Sequence, residues 1–420
     1  MKDFIPSRRS FLAATAAGSV AAAVATARAA SFGNPDEPPE GAVNAQGNPA
    51  SVSDPGPHDP TLQNEFPGAF SPPATDVGDL PLFWASFNNA PRRIQNGGWA
   101  RQVTQHDFQI SDEIAGVNMR LTRGGIRELH WHQAAEWAYV TYGTCRITTI
   151  DQSGRVNVED VQEGGLWYFP AGLPHSLQGV GDDGCEFILA FDNGRQSEFN
   201  TLLVTDWMAH TRPEDLALNF GVPVETFAKI PLNNLYIFQG QAPGPLATDM
   251  KQAQGDAGPM PIPSSFALNE VAPTKQTKSG SIKVADSSTF KASKTIAVGL
   301  VTIHPGGMRE MHWHPNADEW QYFIAGTGDL TVFNTGPNVA SNTFHAGDIG
   351  YVKKSFGHYI RNTGNTDLVY LEVFRASHYA EVSLSDWLTH TPPAMVAQTF
   401  NIDPAVIAQF PRNSPGVLPV

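Results

Sequence analysis

Cysteine is scarce in this chain: among 420 residues only Cys145 and Cys185 occur. No more than one disulfide can form, so the fold must rest on its core. Each cysteine sits in an apolar, strand-like run, where a thiol packs as a small hydrophobe, and both are expected free and buried. In an oxidising compartment they could instead pair. Charge is also sparse, at 16% of residues, and positive charge most of all. Lys+Arg 27 against Asp+Glu 41 leaves a net −14. That balance excludes a general binder of nucleic acid, whose phosphates would be repelled. A small dianion is still acceptable where an arginine lines a pocket. Past the N-terminus no stretch is apolar enough for long enough to span a bilayer, so no membrane partner is expected for the mature chain.

Turn-forming residues are plentiful, with Gly 38 and Pro 33. Between them lie short β-rich runs such as VNMRL, WAYVTYG, LWYFP and EFILAF. Short strands separated by frequent turns favour an all-β sandwich or barrel over a helix bundle. The length suggests two or three domains.

The N-terminus reads as an export signal over residues 1–30. Ser7-Arg8-Arg9-Ser10-Phe11-Leu12 is a twin-arginine pattern, an alanine-rich run follows, and Ala27-Arg28-Ala29 is a small-x-small cleavage site. The mature protein is therefore expected in the periplasm or secreted. Residues 31–80 are rich in Pro, Gly, Asn and Asp and read as an extended arm. Two domains then follow, 81–239 and 279–420. A Pro/Gly/Ala-rich linker, 240–278, joins them, and a short helical tail closes each.

Those two domains are copies of one another. Gly98 matches Gly280, Ala115 matches Ala297 and His130 matches His312, all 182 residues apart. The spacing becomes 183 for Glu136 and Glu319, and 180 for Asp206 and Asp386. The first copy is thus three residues longer between Phe191 and Asp206. An internal repeat of this kind sets the architecture before any other signal.

Each copy carries the same chelating pattern. His130 and His132 are two apart, which on a strand puts both imidazoles on one face. Glu136 follows, and His175 comes later. The second copy holds His312, His314, Glu319 and His358. Three imidazoles and a carboxylate form a metal site with room for water or substrate. The plain alternative is a pair of satisfied strand histidines. Two complete sets argue against it. The spacing alone does not choose among manganese, iron, nickel, copper and zinc.

The residues just named also resemble the cupin superfamily. Its first motif, a glycine, then HxH, Glu and Gly, is met by Gly124, His130, His132, Glu136 and Gly143. Gly306, His312, His314, Glu319 and Gly326 meet it again. The second motif is met by Gly164, Pro170, Gly172 and His175. In the second copy Lys353 and Ser355 replace the proline and glycine, which bears on the turn but leaves His358 in place. The runs IRELHWH, AEWAYV, LWYFPAGLPHS and HYAEVSL are similar to those of bicupin oxalate decarboxylases.

The resemblance implies two tandem cupin barrels, each a double-stranded β-helix or jelly roll. It implies two manganese ions per chain and conversion of oxalate to formate and carbon dioxide, with dioxygen required but not consumed. A homo-oligomer, trimer or hexamer, is implied as well. Arg127 and Arg309 would hold a substrate carboxylate. Strict alternation sets them on the face opposite the histidines, so a bend is required. Glu198, in the longer loop as Ser197-Glu198-Phe199-Asn200-Thr201, would be the proton-handling acid of a lid. Glu372 and Tyr379 would lie near the second metal, with a structural role as open as a catalytic one. Trp131 and Trp313, between the paired histidines, should point away from the metal. Oxalate oxidase chemistry, another cupin reaction such as a dioxygenase, and a non-catalytic binding bicupin are the other readings open at this level.

Overall fold

The structure is a computed structural model, and it describes residues 57, 59–66, 72–336 and 338–419. The export signal and most of the 31–80 arm lie outside the described residues. The chain divides into two compact units. One comprises residues up to Leu80 together with Phe333–Thr343. Within it Val77 and Val339 form a two-way antiparallel bridge, and the Asp76 carboxylate accepts from the Ser341 amide and hydroxyl.

The other unit, Pro81–Val332 with Phe344–Val420, contains both repeats. In the first, Gly98–Val103, Ala115–Leu121, Cys185–Phe191 and Glu136–Ile150 are neighbours in one antiparallel sheet. Glu136–Ile150 runs for 15 residues and bends across, so that its second half pairs with His175–Gly179 and Val156–Gln162. In the second repeat, Gly280–Ala285, Ala297–Ile303, Leu368–Phe374 and Glu319–Ala325 repeat the order. Each repeat ends in two or three short helices and a strand, Ile237–Gln239 or Val417–Pro419. That strand returns to the histidine-bearing strand.

The two barrels exchange short strands. Trp84–Ser86, which precedes the first barrel, pairs with Asp348–Val352 of the second. Ser265–Phe266, which precedes the second, pairs with Leu166–Phe169 of the first. Residues 240–278, whose composition suggests a crossing linker, therefore contain this strand and the helix Leu246–Ala253. A single apolar cluster continues the exchange. Trp137, Tyr168 and Ile188 of the first barrel pack with Trp320, Tyr351 and Leu371 of the second. Burying large aromatic faces on both sides removes each sheet's outer surface from water, which is the main force holding the barrels together.

A second cluster fills the first barrel, around Met119, Trp167, Phe187 and Leu189. Cys145 and Cys185 lie within it, buried and free. Burial pushes the Cys145 thiol well up, and both cysteines pack as small apolar groups in that core. Among the described residues no helix is long and apolar enough to cross a membrane.

Candidate metal centres and the arginine clamps above them

The strands Gly125–Trp131 and Gly307–Trp313 supply the paired histidines of the two sites. Their glutamates open the next strands, at Glu136 and Glu319, and the last histidines begin or follow the start of strands at His175 and His358. Tertiary structure brings each set of four together. In both, one ligand atom per residue lies within 4.8 Å of the others, and all eight side chains are buried.

The donor chemistry fits a metal ion. His130, His132 and His175 donate from Nδ1 to the carbonyls of Glu128, Ala134 and Leu173, at 2.6, 2.7 and 2.9 Å. His312, His314 and His358 do the same toward Glu310, Ala380 and Phe356, at 2.6, 2.8 and 3.0 Å. Fixing the proton on Nδ1 leaves each Nε2 lone pair facing inward. Among the described residues, Nε2 of His130, His175, His312, His314 and His358 is buried with no hydrogen-bond partner. Nε2 of His358 and of His314 lies 2.8 and 3.2 Å from Glu319 Oε2, and Nε2 of His175 lies 3.4 Å from Glu136 Oε2, all close but without hydrogen-bond alignment. Orphaned buried acceptors are costly unless a cation satisfies them. Burial first, and the nearby Arg127 charge second, push His130 well down, so it stays neutral and able to coordinate. Burial and Arg309 act alike on His312. Burial acts to raise Glu136, yet His175 and His132 outweigh it and hold it well below the carboxylate range. His358 and His314 do so for Glu319.

The remaining carboxylate oxygen is steadied differently in each site. Trp167 Nε1 donates to Glu136 Oε1 at 2.8 Å, whereas Gln321 Nε2 donates to Glu319 Oε1 at 2.7 Å. The turn that lacks the usual proline and glycine keeps its shape. Ser355 adopts φ 68°, close to the 79° of Gly172, and donates its amide to His314 as Gly172 does to His132. Lys353, in the proline position, instead forms ion pairs with Asp112 and Asp318, both at 2.6 Å.

The expected bend at the arginines is a break in strand register. Pairing slips between Arg127 and His130, and again between Arg309 and His312. A bulge adds one residue to one side of a ladder and re-aims the next side chain. Both arginines consequently point inward and are 0% exposed. Trp131 and Trp313 face outward, each against a helix tryptophan, Trp207 or Trp387.

Glu198 is also 0% exposed, so the longer loop is folded down over the first site. Arg127 Nε donates to Glu198 Oε1 at 2.5 Å, Nη2 to Thr201 Oγ1 at 2.8 Å and Nη1 to the Tyr236 carbonyl at 3.4 Å. The Tyr236 ring lies between two guanidiniums, 3.9 Å from Arg93 and 4.3 Å from Arg127. Its backbone is left-handed, φ 53°, a conformation that L side chains avoid.

In the second site Arg309 donates from Nε to Glu372 at 3.2 Å and from Nη1 to the Gly416 carbonyl at 3.2 Å, and it pairs closely with Glu381. The Tyr379 hydroxyl donates to Glu372 at 2.8 Å and lies 2.9 Å from Glu381. Glu372 and Tyr379 thus both meet Arg309. Thr201, Tyr236 and Glu381 are additional contacts that residue spacing did not single out. Glu381 lies inside the HYAEVSL run, but nothing local marks that glutamate as facing an arginine more than 70 residues earlier.

The family follows from comparison with known proteins. The cupin model matches this chain twice, over residues 85–227 and 266–408. An oxalate decarboxylase of Bacillus subtilis is 47% identical over 330 residues, spanning 79% of this chain and 85% of that protein. The chain belongs to the bicupin oxalate decarboxylase family. A probable oxalate decarboxylase of Arthroderma benhamiae is 40% identical over 346 residues, spanning 81% of this bicupin and 84% of its relative. A solved structure of the Bacillus subtilis enzyme superposes with TM-score 0.86 at 42% identity. It covers 89% of this bicupin and 99% of the solved chain. Another structure of that enzyme, equally similar, concerns its Mn(II) centres.

Proposed function

We propose that this bicupin is a manganese-dependent oxalate decarboxylase whose chemistry takes place in the first barrel. The observation that carries the assignment is the Arg127–Glu198 pair, wholly buried beside a complete His₃Glu set. His130, His132 and His175 would hold the ion through Nε2 and Glu136 through a carboxylate oxygen, a mixed set with open positions that suits manganese. Bound there, the metal supplies Lewis-acid attraction for a substrate carboxylate, with dioxygen as the proposed co-catalyst.

The protein's own groups account for the rest. Oxalate reaches a fully buried arginine only after the 193–201 segment moves aside. Arg127 then binds a carboxylate through its planar fork and fixes the dicarboxylate against the site. Glu198 accepts the proton of the acid group that will leave. The carbon–carbon bond breaks, carbon dioxide departs, and the electron pair remains on the other carbon. Glu198 returns its proton to that carbon, giving formate. Atoms, charge and oxidation level balance over the cycle. A closed lid keeps water from delivering or removing protons at the wrong moment.

The same reading extends to the cell and the assembly. The twin-arginine pattern supports export of a folded, metal-loaded protein. Homo-oligomerisation is supported by large apolar residues exposed on both helical tails, including Trp207, Leu218, Phe220, Trp387 and Phe400.

Product analysis tests the assignment. Purified manganese-loaded protein given oxalate in air at mildly acidic pH should yield formate and carbon dioxide in equal amounts. Hydrogen peroxide without formate would make it an oxidase. No turnover with both sites metallated would overturn the reading.

A further inference from the structure

We propose that Gln102 is the latch that keeps the lid shut over the first site once substrate has taken its place. Gln102 lies on the strand Gly98–Val103, beneath the centre of the lid. Its Oε1 accepts the Glu198 amide at 3.0 Å and lies 3.2 Å from the Ser197 hydroxyl, and its Nε2 donates to that hydroxyl at 3.1 Å. The orientation of the amide follows from chemistry, since a backbone N–H needs an acceptor. Gln102 therefore grips the residue that handles the proton and the one before it.

The lid's other polar attachments are of two kinds, and neither can serve in the loaded state; Phe199 adds an apolar contact, its ring 6.0 Å from that of Tyr236, which lacks the directionality of a hydrogen bond. At the base of the lid the Gly194 carbonyl accepts from the Gln105 amide at 2.7 Å, and Arg195 donates to the Gln105 side chain at 3.1 Å. These bonds hold the hinge end, not the part above the site. At its centre Glu198 and Thr201 are held by Arg127. Those contacts use the guanidinium edges that a substrate carboxylate must take. A lid tied only through Arg127 would be released by the ligand it has to cover. Gln102 makes its bonds on the other side of Glu198 and shares nothing with Arg127.

The repeat supplies an internal control. The strands Gly98–Val103 and Gly280–Ala285 correspond residue for residue. Gln102 stands opposite Val117, and Val284 stands opposite Gly299, each 182 positions later. The second barrel lacks the longer loop and has, at the latch position, a valine side chain that cannot hydrogen-bond. The polar side chain occurs only in the barrel with a lid to hold.

Gln102 is accordingly a positioning residue, acting through Glu198. The catalytic consequence rests on the proposed decarboxylase activity, but the state of the lid does not. The first test is hydrogen exchange in manganese-loaded, substrate-free protein. Gln102→Met keeps length and removes both bonds. Exchange at the Glu198 amide should accelerate roughly tenfold, the effect of losing about one net hydrogen bond, while amides around Glu381 stay unchanged. Gln102→Glu retains the acceptor and should restore protection. With oxalate, Gln102→Met should lower kcat more than it changes KM, and peroxide should rise relative to formate, as dioxygen takes the two electrons of oxalate when Glu198 is no longer held in place to return the proton to carbon. Glu198 exchange within twofold of the unaltered protein would overturn the latch. Absence of formate from the unaltered protein would overturn the decarboxylase reading instead, and the exchange result would still decide the latch.

Discussion

The two barrels hold the same four ligands in the same geometry and aim the same arginine at them, yet they clamp that arginine in opposite ways. Arg127 faces one carboxylate, Glu198, carried by a loop. Arg309 faces two, Glu372 on a strand and Glu381 on the tail. The repeat shows where the difference arose. The residue matching Glu372 is Leu189, buried in the first core; Glu381 matches Thr201; Tyr379 matches Phe199. One site carries its carboxylate on a loop outside the sheet. The other builds it into the fold, where Arg309 is neutralised and Glu372 cannot withdraw. Under the proposed function, an acid that must admit substrate is best carried on a loop, and a counter-ion that need not move is best built into a strand.

The largest effect should come from the acids themselves. Glu198→Ala should cut formate production by roughly 10²- to 10⁴-fold, the usual contribution of a positioned proton donor. Glu372→Ala, with its metal site intact, should leave it within severalfold. Equal losses in formate assays of the two variants would erase the distinction between the sites.

Next come the buried charges. Replacing Arg309 by methionine leaves buried Glu372 without its cation and Glu381 with Lys275 alone, while Arg127→Met leaves one carboxylate, on a loop. Losing one partner of a buried pair costs about 3–5 kcal/mol. Denaturant unfolding should therefore show Arg309→Met as clearly the more damaging, with Arg127→Met losing less than that range.

A smaller, pH-dependent effect separates the sites further. Burial acts to raise Glu381, but the charges of Arg309 and Lys275 outweigh it and hold the carboxyl well below its ordinary value. A depressed folded-state pKa means stability that is fully present above the unfolded value, about 4.3, and lost as pH falls through the folded one. Melting temperature of the unaltered protein should thus decline in acid more steeply than that of Glu381→Gln, and the two curves should converge at the lowest pH. Parallel curves would show that Glu381 contributes no linkage.

The smallest effect concerns one backbone position. Gly416 and Tyr236 occupy matching turns, at φ 78° and 53°. Glycine rests there without strain, whereas the tyrosine is held there while its ring stacks between Arg93 and Arg127. Gly416→Ala should lose at least about 1 kcal/mol of stability by thermal melting, because a Cβ disfavours that conformation and would also press on Ile282 and Lys275, at 2.7 and 2.9 Å. A neutral result would mean that the turn relaxes and that Tyr236 is not strained either.

Spacing along the chain made the ligands legible. Two histidines two apart on a strand must share a face, and a repeat that preserves all four ligand types doubles the signal. The need for a bend at Arg127 was legible for the same reason, since an odd spacing conflicts with alternation. Glu381 was not, and neither were Tyr236 nor Gln102. Each acts across more than 70 positions of sequence, and no local periodicity relates a tail residue to an arginine on another strand. The strand exchange was hidden likewise, because a two- or three-residue strand has too little pattern to name its partner.

The sequence by itself thus determined the β architecture, the duplication and the eight metal-facing residues, because these follow from local period and are written twice. Only the tertiary structure decided which carboxylates reach each arginine, whether the lid lies closed, and what holds it there. Those outcomes depend on how distant segments meet around a buried charge. An unpaired guanidinium in the core is too costly to leave unanswered, but its partner can come from any segment the fold brings within reach.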